Sequence, residues 1–484
     1  RRSVYDPELV YPDQLQVISL THLLHRGDRA PNKTLQLADL RYISLVDASA
    51  HPEWRGGTGV RATDGTELDT RLLFFARRAS KDCPRGMWHT MCQRLATHQW
   101  LLMHPVGRND TLAVTRRPVV EDSALATNMD VALVQQPHGQ AIMYAAGGTY
   151  YARDDALGYS TYSRRQRARD GISLLRAHSL GEVLNGSWLP RVTSGGPRQR
   201  SLARPQRVLD GRQPGCIEIF KTYTPYCNFD GKLAIVRYQR RYLVYVRANT
   251  VFSGGGRFLQ VAASEDDDPA SRYGAFTMVN IQGYDVQGPG NLYFASIRKH
   301  PLAPHAMLLG LFPLNEGTLR KRGVPEDDEG MPRATPDPDC KGTCYIALSH
   351  SCDGIHWSRF VKLVSTTGDR GRTFDHPVSG FVRSGSSVHI FIHRDVPGIS
   401  PYAPTASRLV RFALRASKLR QLMLAARLQL PGCSSTGFQE AWEGLRWNSS
   451  FERLRNSTRP PATGMTVATR SRRAHARRAS RGVR

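Results

Sequence analysis

The chain has 484 residues, of which 40% are hydrophobic, and a formal net charge of +26. This length suffices for one large domain or for two to three ordinary ones with buried cores. No apolar stretch approaches the roughly 18 residues of a membrane-spanning helix, so we predict no transmembrane helix in these residues. The chain begins with Arg1 and Arg2 rather than Met, so we expect a fragment or a processed form.

The basic charge comes almost entirely from arginine, since only nine of the 67 basic residues are Lys. A strongly positive chain usually indicates nucleic acid or another anionic partner. Here the arginines are scattered along the chain instead of forming stripes, and GC-rich coding produces the same bias. We therefore expect no specific nucleic-acid partner.

Strand-turn-strand units recur along the middle of the chain, and an acidic residue precedes or begins each one. The copies are MDVALVQQPHGQAIMYAAGG at Asp130, FDGKLAIVRYQRRYLVYVRAN at Asp230 and FDHPVSGFVRSGSSVHIFIHR at Asp375. Continuous apolar runs of strand length, rich in Val, Ile and Tyr and joined by Gly or polar pairs, are typical of buried hairpins. Before Asp130, the segments QLQVISLTHLL, TRLLFFARR and TLAVTRRPVV are also strand-like.

Repeated four-stranded units of this kind predict an all-β protein with a five-bladed β-propeller and long loop insertions. We assign the propeller to residues 1–433. The segments before residue 130 supply one blade, and the residues 84–103 among them predict a short helix or an apolar plug. The other blades are predicted at 130–192, 230–281, 291–312 with 345–364, and 375–394 with 408–430.

The last part of the chain, residues 434–484, has a different composition. It contains eleven Arg and three Glu, with Ser, Thr, Pro and Ala between them. Such a segment cannot bury a core, so we predict a disordered Arg-rich tail. A solvated tail is the favoured interpretation and a nucleic-acid-binding arm is the alternative.

Cysteines and glycosylation sequons both favour the secretory pathway. Close spacings allow local disulfides within the groups Cys83/Cys92, Cys216/Cys227 and Cys340/Cys344/Cys352, with Cys433 further on. Five of the eleven Asn stand in N-x-S/T sequons, which matter only in secreted or luminal proteins: Asn32, Asn109, Asn185, Asn448 and Asn456. We therefore predict a secreted or luminal, disulfide-containing glycoprotein.

The sequence SCDGIHWSRF resembles the Ser-x-Asp-Gly-x-x-Trp turn between outer strands of glycosidase propellers, such as those of arabinanases, xylosidases, invertases and levansucrases. It is also similar to the Asp box of sialidases, except that Gly354 directly follows Asp353 and no Thr precedes Trp357. The role of this turn is structural in either case. We expect Asp353 to accept backbone N–H bonds across the turn and Trp357 to pack between strands.

This resemblance to five-bladed propeller glycosidases implies a hydrolase, or a glycosyl-transferring enzyme, with paired carboxylates in a central funnel. One carboxylic acid protonates the leaving oxygen and a second carboxylate acts as nucleophile or base. The matching positions are Asp130, Asp230 and Asp375, and Glu218 is a further acid expected on an inner strand. We assign Asp130 as base or nucleophile, Glu218 as acid, and Asp230 or Asp375 to orientation and pKa tuning. The alternative to a catalytic role for each Asp is a structural one, in which its side chain forms a hydrogen bond with the nearby backbone and stabilises a turn.

Further residues are candidates for substrate binding. His376 is expected to bind substrate hydroxyls or a metal, although a lone His is more often structural. Arg372, Arg237 and Arg394 are candidates for the carboxylate of an acidic sugar, with coincidental surface placement as the alternative. Tyr226 is expected to stack on a sugar ring, and strand packing would explain it equally well.

Two other functions remain open at this stage. A propeller that binds carbohydrate or protein without catalysis needs no carboxylate pair, and a sialidase-like hydrolase needs several Asp boxes and an Arg cluster. An enzyme requires at least two carboxylates facing one pocket. No cofactor is required, and by analogy with arabinanases the resemblance allows a structural Ca²⁺.

Overall fold

The computed structural model describes the strands, several connecting turns and one long helix of the chain. The chain divides into two compact units, Arg1–Arg446 and Trp447–Arg484, and all described residues belong to the first. The described residues are 13–21, 37, 40–47, 72–79, 98–106, 111–114, 120–121, 128–132, 141–147, 171–177, 182, 206–216, 227, 229, 232–249, 257–284, 291–292, 294–315, 344–366, 373–397, 407–433, 438 and 441–442.

The described residues form a β-propeller whose strands belong to four hydrogen-bonded sheets. The largest sheet has ten strands in the order β2-β3-β4-β5-β1-β25-β24-β22, with β6 paired to β4 and β23 to β24. Its strands are β1 (Asp13–Thr21), β2 (Leu40–Asp47), β3 (Leu72–Ala79), β4 (His98–Val106), β5 (Thr111–Val114), β6 (Val120–Glu121), β22 (Thr373–Pro377), β23 (Val382–Ser384), β24 (Ser387–Pro397) and β25 (Arg408–Arg415).

Two four-stranded antiparallel sheets follow in chain order. The first has the order β10-β9-β8-β7 and the second the order β11-β12-β13-β14. Their strands are β7 (Asn128–Ala132), β8 (Ala141–Gly147), β9 (Gly171–Ala177), β10 (Gln206–Asp210), β11 (Ala234–Tyr238), β12 (Arg241–Asn249), β13 (Arg257–Ala263) and β14 (Thr277–Met278).

The fourth sheet has seven strands in the order β15-β20-β19-β18-β16, with β17 paired to β18 and β21 to β19. Its pairs are antiparallel except for the short parallel pair of β15 with β20. The strands are β15 (Asn280–Ile281), β16 (Asn291–Leu292), β17 (Ser296–Lys299), β18 (Leu308–Asn315), β19 (Cys344–Ser351), β20 (His356–Trp357) and β21 (Val361–Thr366).

The structure corrects the predicted number of blades. The sequence pattern predicts five separate blades, whereas the described strands form four sheets. The reason lies in β1, which pairs antiparallel with β25 over its first half and parallel with β5 at its end. This strand joins the first and last strand groups of the chain into one ten-stranded sheet.

Residues 416–429 also differ from the expected strand continuation. After β25 the chain forms helix α1 (Ala416–Gln429). Leu419, Met423 and Ala426 are buried, at the three- and four-residue spacing that places side chains on one helix face. This face packs over β19 and β25, so α1 covers the outside of two sheets.

The buried core lies between neighbouring sheets. One cluster joins β9 and β10 to β11 and β12 through side chains such as Ile172, Leu209 and Val244. Another joins the seven-stranded sheet to β24 and β25 through Leu311, Ile390 and others. Face-to-face burial of this kind explains why strands such as β12, β13 and β25 are continuous apolar runs, since nearly all their described side chains are buried.

The hairpin predicted from Asp230 onward is confirmed in its described part. Tyr238 pairs with Arg241, so the connection between β11 and β12 is the two-residue turn Gln239-Arg240. Both turn residues have positive φ, 49° and 59°, which is the conformation that two-residue hairpins need. Arg240 therefore has a left-handed backbone conformation that glycine adopts more readily than arginine does.

The Asp353 turn has the predicted structural role. Its carboxylate oxygen Oδ1 accepts the backbone N–H groups of Ile355 and His356, each at 2.8 Å. The Ser351 hydroxyl accepts the N–H of Gly354, whose φ is +85°. Trp357 is fully buried against Tyr245 and Phe312. Asp353 and Trp357 thus shape and pack the turn, as expected.

Two disulfides lie among the described residues. Cys216 and Cys227 form the predicted local bridge. Cys352 pairs with Cys433 over 81 residues, so its expected pairing within the 340/344/352 group is wrong. The long bridge forms because the chain after α1 returns to the Asp353 turn, where Gly432 lies against the Asp353 side chain.

Described residues of the predicted tail contact this same region. The Phe438 ring packs edge-on against Tyr238, and the Trp442 indole N–H donates to the carbonyl of Asp353 at 2.9 Å. The domain boundary at 433/434 stays a prediction, because most of residues 434–484 lie outside the described residues.

A pair of buried imidazoles lies near the Cys352 disulfide. The rings of His300 and His350 are 5.3 Å apart, and both residues are fully buried. Burial lowers the pKa of His300 to about 4, and burial together with His300 lowers the pKa of His350 to about 3. The Nε2 atom of His350 has no hydrogen-bond partner among the described residues.

We expect Arg240→Gly to raise the free energy of unfolding by about 0.5–1 kcal/mol, because glycine removes the left-handed strain at this turn. Urea denaturation would measure it. Arg272→Gly is the matched control, since Arg272 is exposed and outside the left-handed region, and it should lose stability instead. Equal effects in the two variants would contradict the turn assignment.

We expect His350→Leu to weaken the dependence of stability on pH. The folded-state pKa is depressed, so stability from the neutral imidazole is full above the unfolded pKa of about 6.5 and is lost as pH falls toward 3. Removing this group should reduce the slope of unfolding free energy against pH by up to about 1.4 kcal/mol per pH unit. Urea titrations between pH 4.5 and 7.5 would test this, and an unchanged slope would contradict it.

Candidate functional site

One strand from each strand group lies at the centre of the propeller. These strands, here called the inner strands, are β2, β7, β11, β17 and β22. β2 contacts β7, β7 contacts β11, and β11 contacts β17. Ser296 at the start of β17 donates its hydroxyl hydrogen to the carbonyl of Pro377 at the end of β22. Ser379, just after β22, bridges to Ser44 of β2, which closes the ring.

Lys232 connects three of the inner strands. Its ammonium, buried just before β11, donates to the carbonyl of Ile43 in β2 at 2.7 Å and contacts that of Pro377 in β22 at 3.4 Å. The same nitrogen lies 5.6 Å from the centre of the Phe294 ring. We call this part of the ring the Lys232 end.

Imidazoles surround the same position. His376 of β22 is buried, stacks on Tyr42 at 5.6 Å and meets the edge of Phe294 at 4.9 Å. His393 of β24 is its partner across the strand pair. Burial lowers the pKa of His376 well below its ordinary value, with contributions from His393, Arg41 and Lys232. His376 is therefore neutral at physiological pH and interacts through polarity and ring stacking rather than charge.

Asp375 is the predicted carboxylate whose side chain the structure describes. It is 6% exposed, accepts a bond from Arg394 Nε at 3.0 Å and accepts the backbone N–H of Asp395 at 3.0 Å. Burial raises the pKa of Asp375, and the charge of Arg394 opposes that shift. Both oxygens are thus oriented by protein donors.

The structure describes less of the other three predicted acids. Asp130 lies in β7, where its backbone pairs with Tyr144, and its side chain is outside the described part. Glu218 and Asp230 lie outside the described residues altogether. The described residues therefore bring Asp130 and Asp375 onto inner strands of one ring, and the catalytic roles of all four acids stay predictions.

The predicted binding residues separate into two groups. Arg372 and Tyr226 lie outside the described residues. Arg237 lies near the far end of β11 from Lys232, and both its Nε and its Nη2 donate to the carboxylate of Asp267. This bond raises the pKa of Arg237 and lowers that of Asp267. The other two described candidates are Arg394, which binds Asp375, and His376, which lies at the Lys232 end.

Three residues of this site were not predicted from the sequence: Lys232, Tyr42 and His393. Lys232 could have been recognised, because it directly precedes the apolar run of an inner strand. A lysine at such a position is expected to bury its ammonium and to need hydrogen-bond acceptors there. Tyr42 has a positive φ of 55°. The apolar sequence around it in β2 gives no indication of this conformation. His393 is recognisable only once β24 pairs with β22.

Calcium would need a cluster of oxygen ligands. Among the described residues no group of three His, Cys, Asp or Glu side chains is arranged to hold a metal ion. The described charged groups next to His376 and His393 are the cations Arg41 and Lys232, which do not suit a cation site. A structural Ca²⁺ therefore stays a prediction that the described residues do not support.

No protein-family model and no curated protein matches the chain. Similar solved structures include a β-xylosidase, 9% identical over 71% of this chain and 88% of its own, with a TM-score of 0.38. A family 117 glycoside hydrolase of the marine bacterium Zobellia galactanivorans is 11% identical over 84% and 91%, with a TM-score of 0.38. A mannose phosphorylase of Leishmania mexicana is 10% identical over 84% and 91%, with a TM-score of 0.39. At these values the function must be argued from the residues of this chain.

We expect Lys232→Met to lower the free energy of unfolding by about 1–3 kcal/mol, because the buried carbonyl of Ile43 loses a charge-assisted hydrogen bond. Chemical denaturation would measure the change. Arg212→Met is the control, since Arg212 is exposed, and should stay within about 0.5 kcal/mol of the parent protein. A Lys232→Met variant as stable as the control would show that this contact does not hold the inner strands.

Proposed function

We propose that the protein is a glycoside hydrolase, or a glycosyl-transferring enzyme, that uses carboxylates from the inner strands at the Lys232 end. Cleavage of a glycosidic bond needs one carboxylic acid and one carboxylate flanking the bond. The proposed roles are those of the sequence analysis, with Asp130 as base or nucleophile and Glu218 as acid. Asp375 and Asp230 orient the substrate or tune these pKa values.

One observation carries this proposal. Asp130 and Asp375 each occupy the third position of a five-residue inner strand, β7 (Asn128–Ala132) and β22 (Thr373–Pro377). Both strands are neighbours of β2 in the ring. A closed ring of this kind supports the convergence of carboxylates that are 245 positions apart in the sequence.

The surroundings of Asp375 favour a supporting role for it. Arg394 and the Asp395 amide hold its two oxygens, so the carboxylate is fixed in orientation. A fixed carboxylate near a reacting pair influences the pKa of its neighbours through charge. The neighbouring His376 imidazole is buried against Tyr42 and Phe294, which favours a structural role for it.

A non-catalytic propeller that binds carbohydrate or protein is the second candidate. The ion pair of Asp375 with Arg394 favours it, because a carboxylate bound in this way stabilises the propeller without any chemistry. A sialidase-like hydrolase ranks third. Two of the arginines proposed for its substrate, Arg237 and Arg394, already bind the carboxylates Asp267 and Asp375.

We place the protein in the secretory pathway as part of this proposal. The disulfides Cys216–Cys227 and Cys352–Cys433 are stable in an oxidising compartment, and the five sequons act only there. Carbohydrate is the proposed substrate or ligand. The sugar and its linkage are to be identified by experiment.

Turnover of a panel of glycans and aryl glycosides by the purified protein tests the proposal. Asp130→Asn and Glu218→Gln should each reduce turnover by about 10²- to 10⁴-fold, since each removes a proton-transfer or nucleophilic group. Asp267→Asn is the matched control, because it removes a carboxylate bound to Arg237 at the opposite end of β11, and should retain activity. Circular dichroism would check that all variants fold.

Two results of the turnover experiment would contradict the proposal. Absence of turnover across the panel, together with glycan binding that the Asp130 and Glu218 variants share with the parent, would replace the enzyme with the binding propeller. Turnover that both variants retain would show that the acids lie elsewhere.

A further inference from the structure

Helix α1 has one face in the core and an opposite face in solvent. Met423 and Ala426 pack with Met307, Cys352 and Leu430, and Leu419 packs with the β18, β19 and β25 side chains. These contacts fix the rotation of the helix. The residues on its other side therefore face outward.

Two leucines lie on this outward face, one helical turn apart. Leu424 is 51% exposed and Leu428 is 89% exposed. They border an open depression of about 810 Å³ whose other lining residues include Arg427, Leu430 and Pro431. Scattered exposed leucines are normal on proteins, but here the two are at i and i+4 and continue into an apolar depression.

The same face is positively charged. Arg420 and Arg427 flank the leucines at the three- and four-residue spacing of one helix side, and both are exposed. The segment 415–433 contains no Asp or Glu. A helix with protruding leucines, flanking arginines and no acidic residue fits the interface of an anionic lipid bilayer, where leucines enter the acyl boundary and arginines meet headgroup phosphates.

We propose that this outward face of α1, formed by Arg420, Leu424, Arg427 and Leu428, docks the protein on anionic membrane surfaces. Such docking is peripheral, because no described helix is long and apolar enough to cross a membrane. This inference is independent of the proposed enzymatic activity, since it rests on a different face of the propeller.

The position of α1 agrees with a docked protein whose central site stays accessible. Inner strand β11 begins beside Lys232 and ends at Tyr238, whose hydroxyl donates to the carbonyl of Cys352. Cys352 packs with Met423 and Ala426 of α1. The helix therefore lies towards the Tyr238 end of β11 rather than the Lys232 end.

Co-sedimentation of the full chain with vesicles tests the proposal, using phosphatidylcholine alone and phosphatidylcholine with phosphatidylserine. We expect binding only with phosphatidylserine. Leu424→Ser/Leu428→Ser and Arg420→Gln/Arg427→Gln should each reduce the partition coefficient about tenfold or more, through lost apolar insertion and lost headgroup contacts. The control Arg212→Gln/Arg272→Gln removes the same charge from other exposed positions and should change it less than about threefold.

The control variant Arg212→Gln/Arg272→Gln distinguishes vesicle binding by this face of α1 from vesicle binding by the net positive charge of the whole chain. Vesicle binding that the leucine variant retains in full would overturn the proposal and assign binding to the general basic charge. Absence of vesicle binding would overturn it as well. Binding of an acidic amphipathic peptide instead, lost in the leucine variant, would identify a protein partner for this face.

Discussion

The pairing of the two ends of the propeller is the constraint on which the rest of the structure depends. β1, near the start of the chain, forms its hydrogen bonds with β25 and with β5. The chain between them has to return to its starting point, so the inner strands are forced into a closed ring. Only a closed ring brings Lys232 within reach of carbonyls on both β2 and β22. The central site is therefore a consequence of closure at the outer edge.

A second set of contacts fixes the opposite end. The Asp353 carboxylate organises its own turn, while Tyr238, Tyr245 and Trp442 all donate hydrogen bonds to carbonyls of residues 352–354. The Cys352–Cys433 disulfide ties the chain after α1 to the same place. A buried carboxylate is costly unless it is hydrogen-bonded, and here Oδ1 accepts the backbone N–H groups of Ile355 and His356 while Oδ2 pairs with the His356 imidazole. Turn, disulfide and α1 consequently form one unit.

Strands such as β12 and β18 were predictable from the sequence, because each is a continuous apolar run that is almost entirely buried. The helix or plug predicted for residues 84–103 is wrong where it overlaps β4, which begins at His98. The Asp353 turn was also predictable, since its residues bond mainly to one another. Predictions failed where distant segments decide the outcome. The merging of strand groups depends on where β1 finds partners, and the pairing of Cys352 depends on the path of the chain after α1. Lys232 and His393 likewise acquire their surroundings only when the ring closes.

Charge at the Lys232 end links the fold to the proposed chemistry. Lys232 and Arg41 lie near two imidazoles whose pKa values they help to lower, so neutral histidines and fixed cations share one buried region. Cations buried among carbonyls and rings lower the pKa of any carboxylate that approaches them, whereas burial raises it, as at Asp375. Two acids placed at different distances from Lys232 would therefore ionise differently. That separation of pKa values is what a glycosidase requires of its acid and its base.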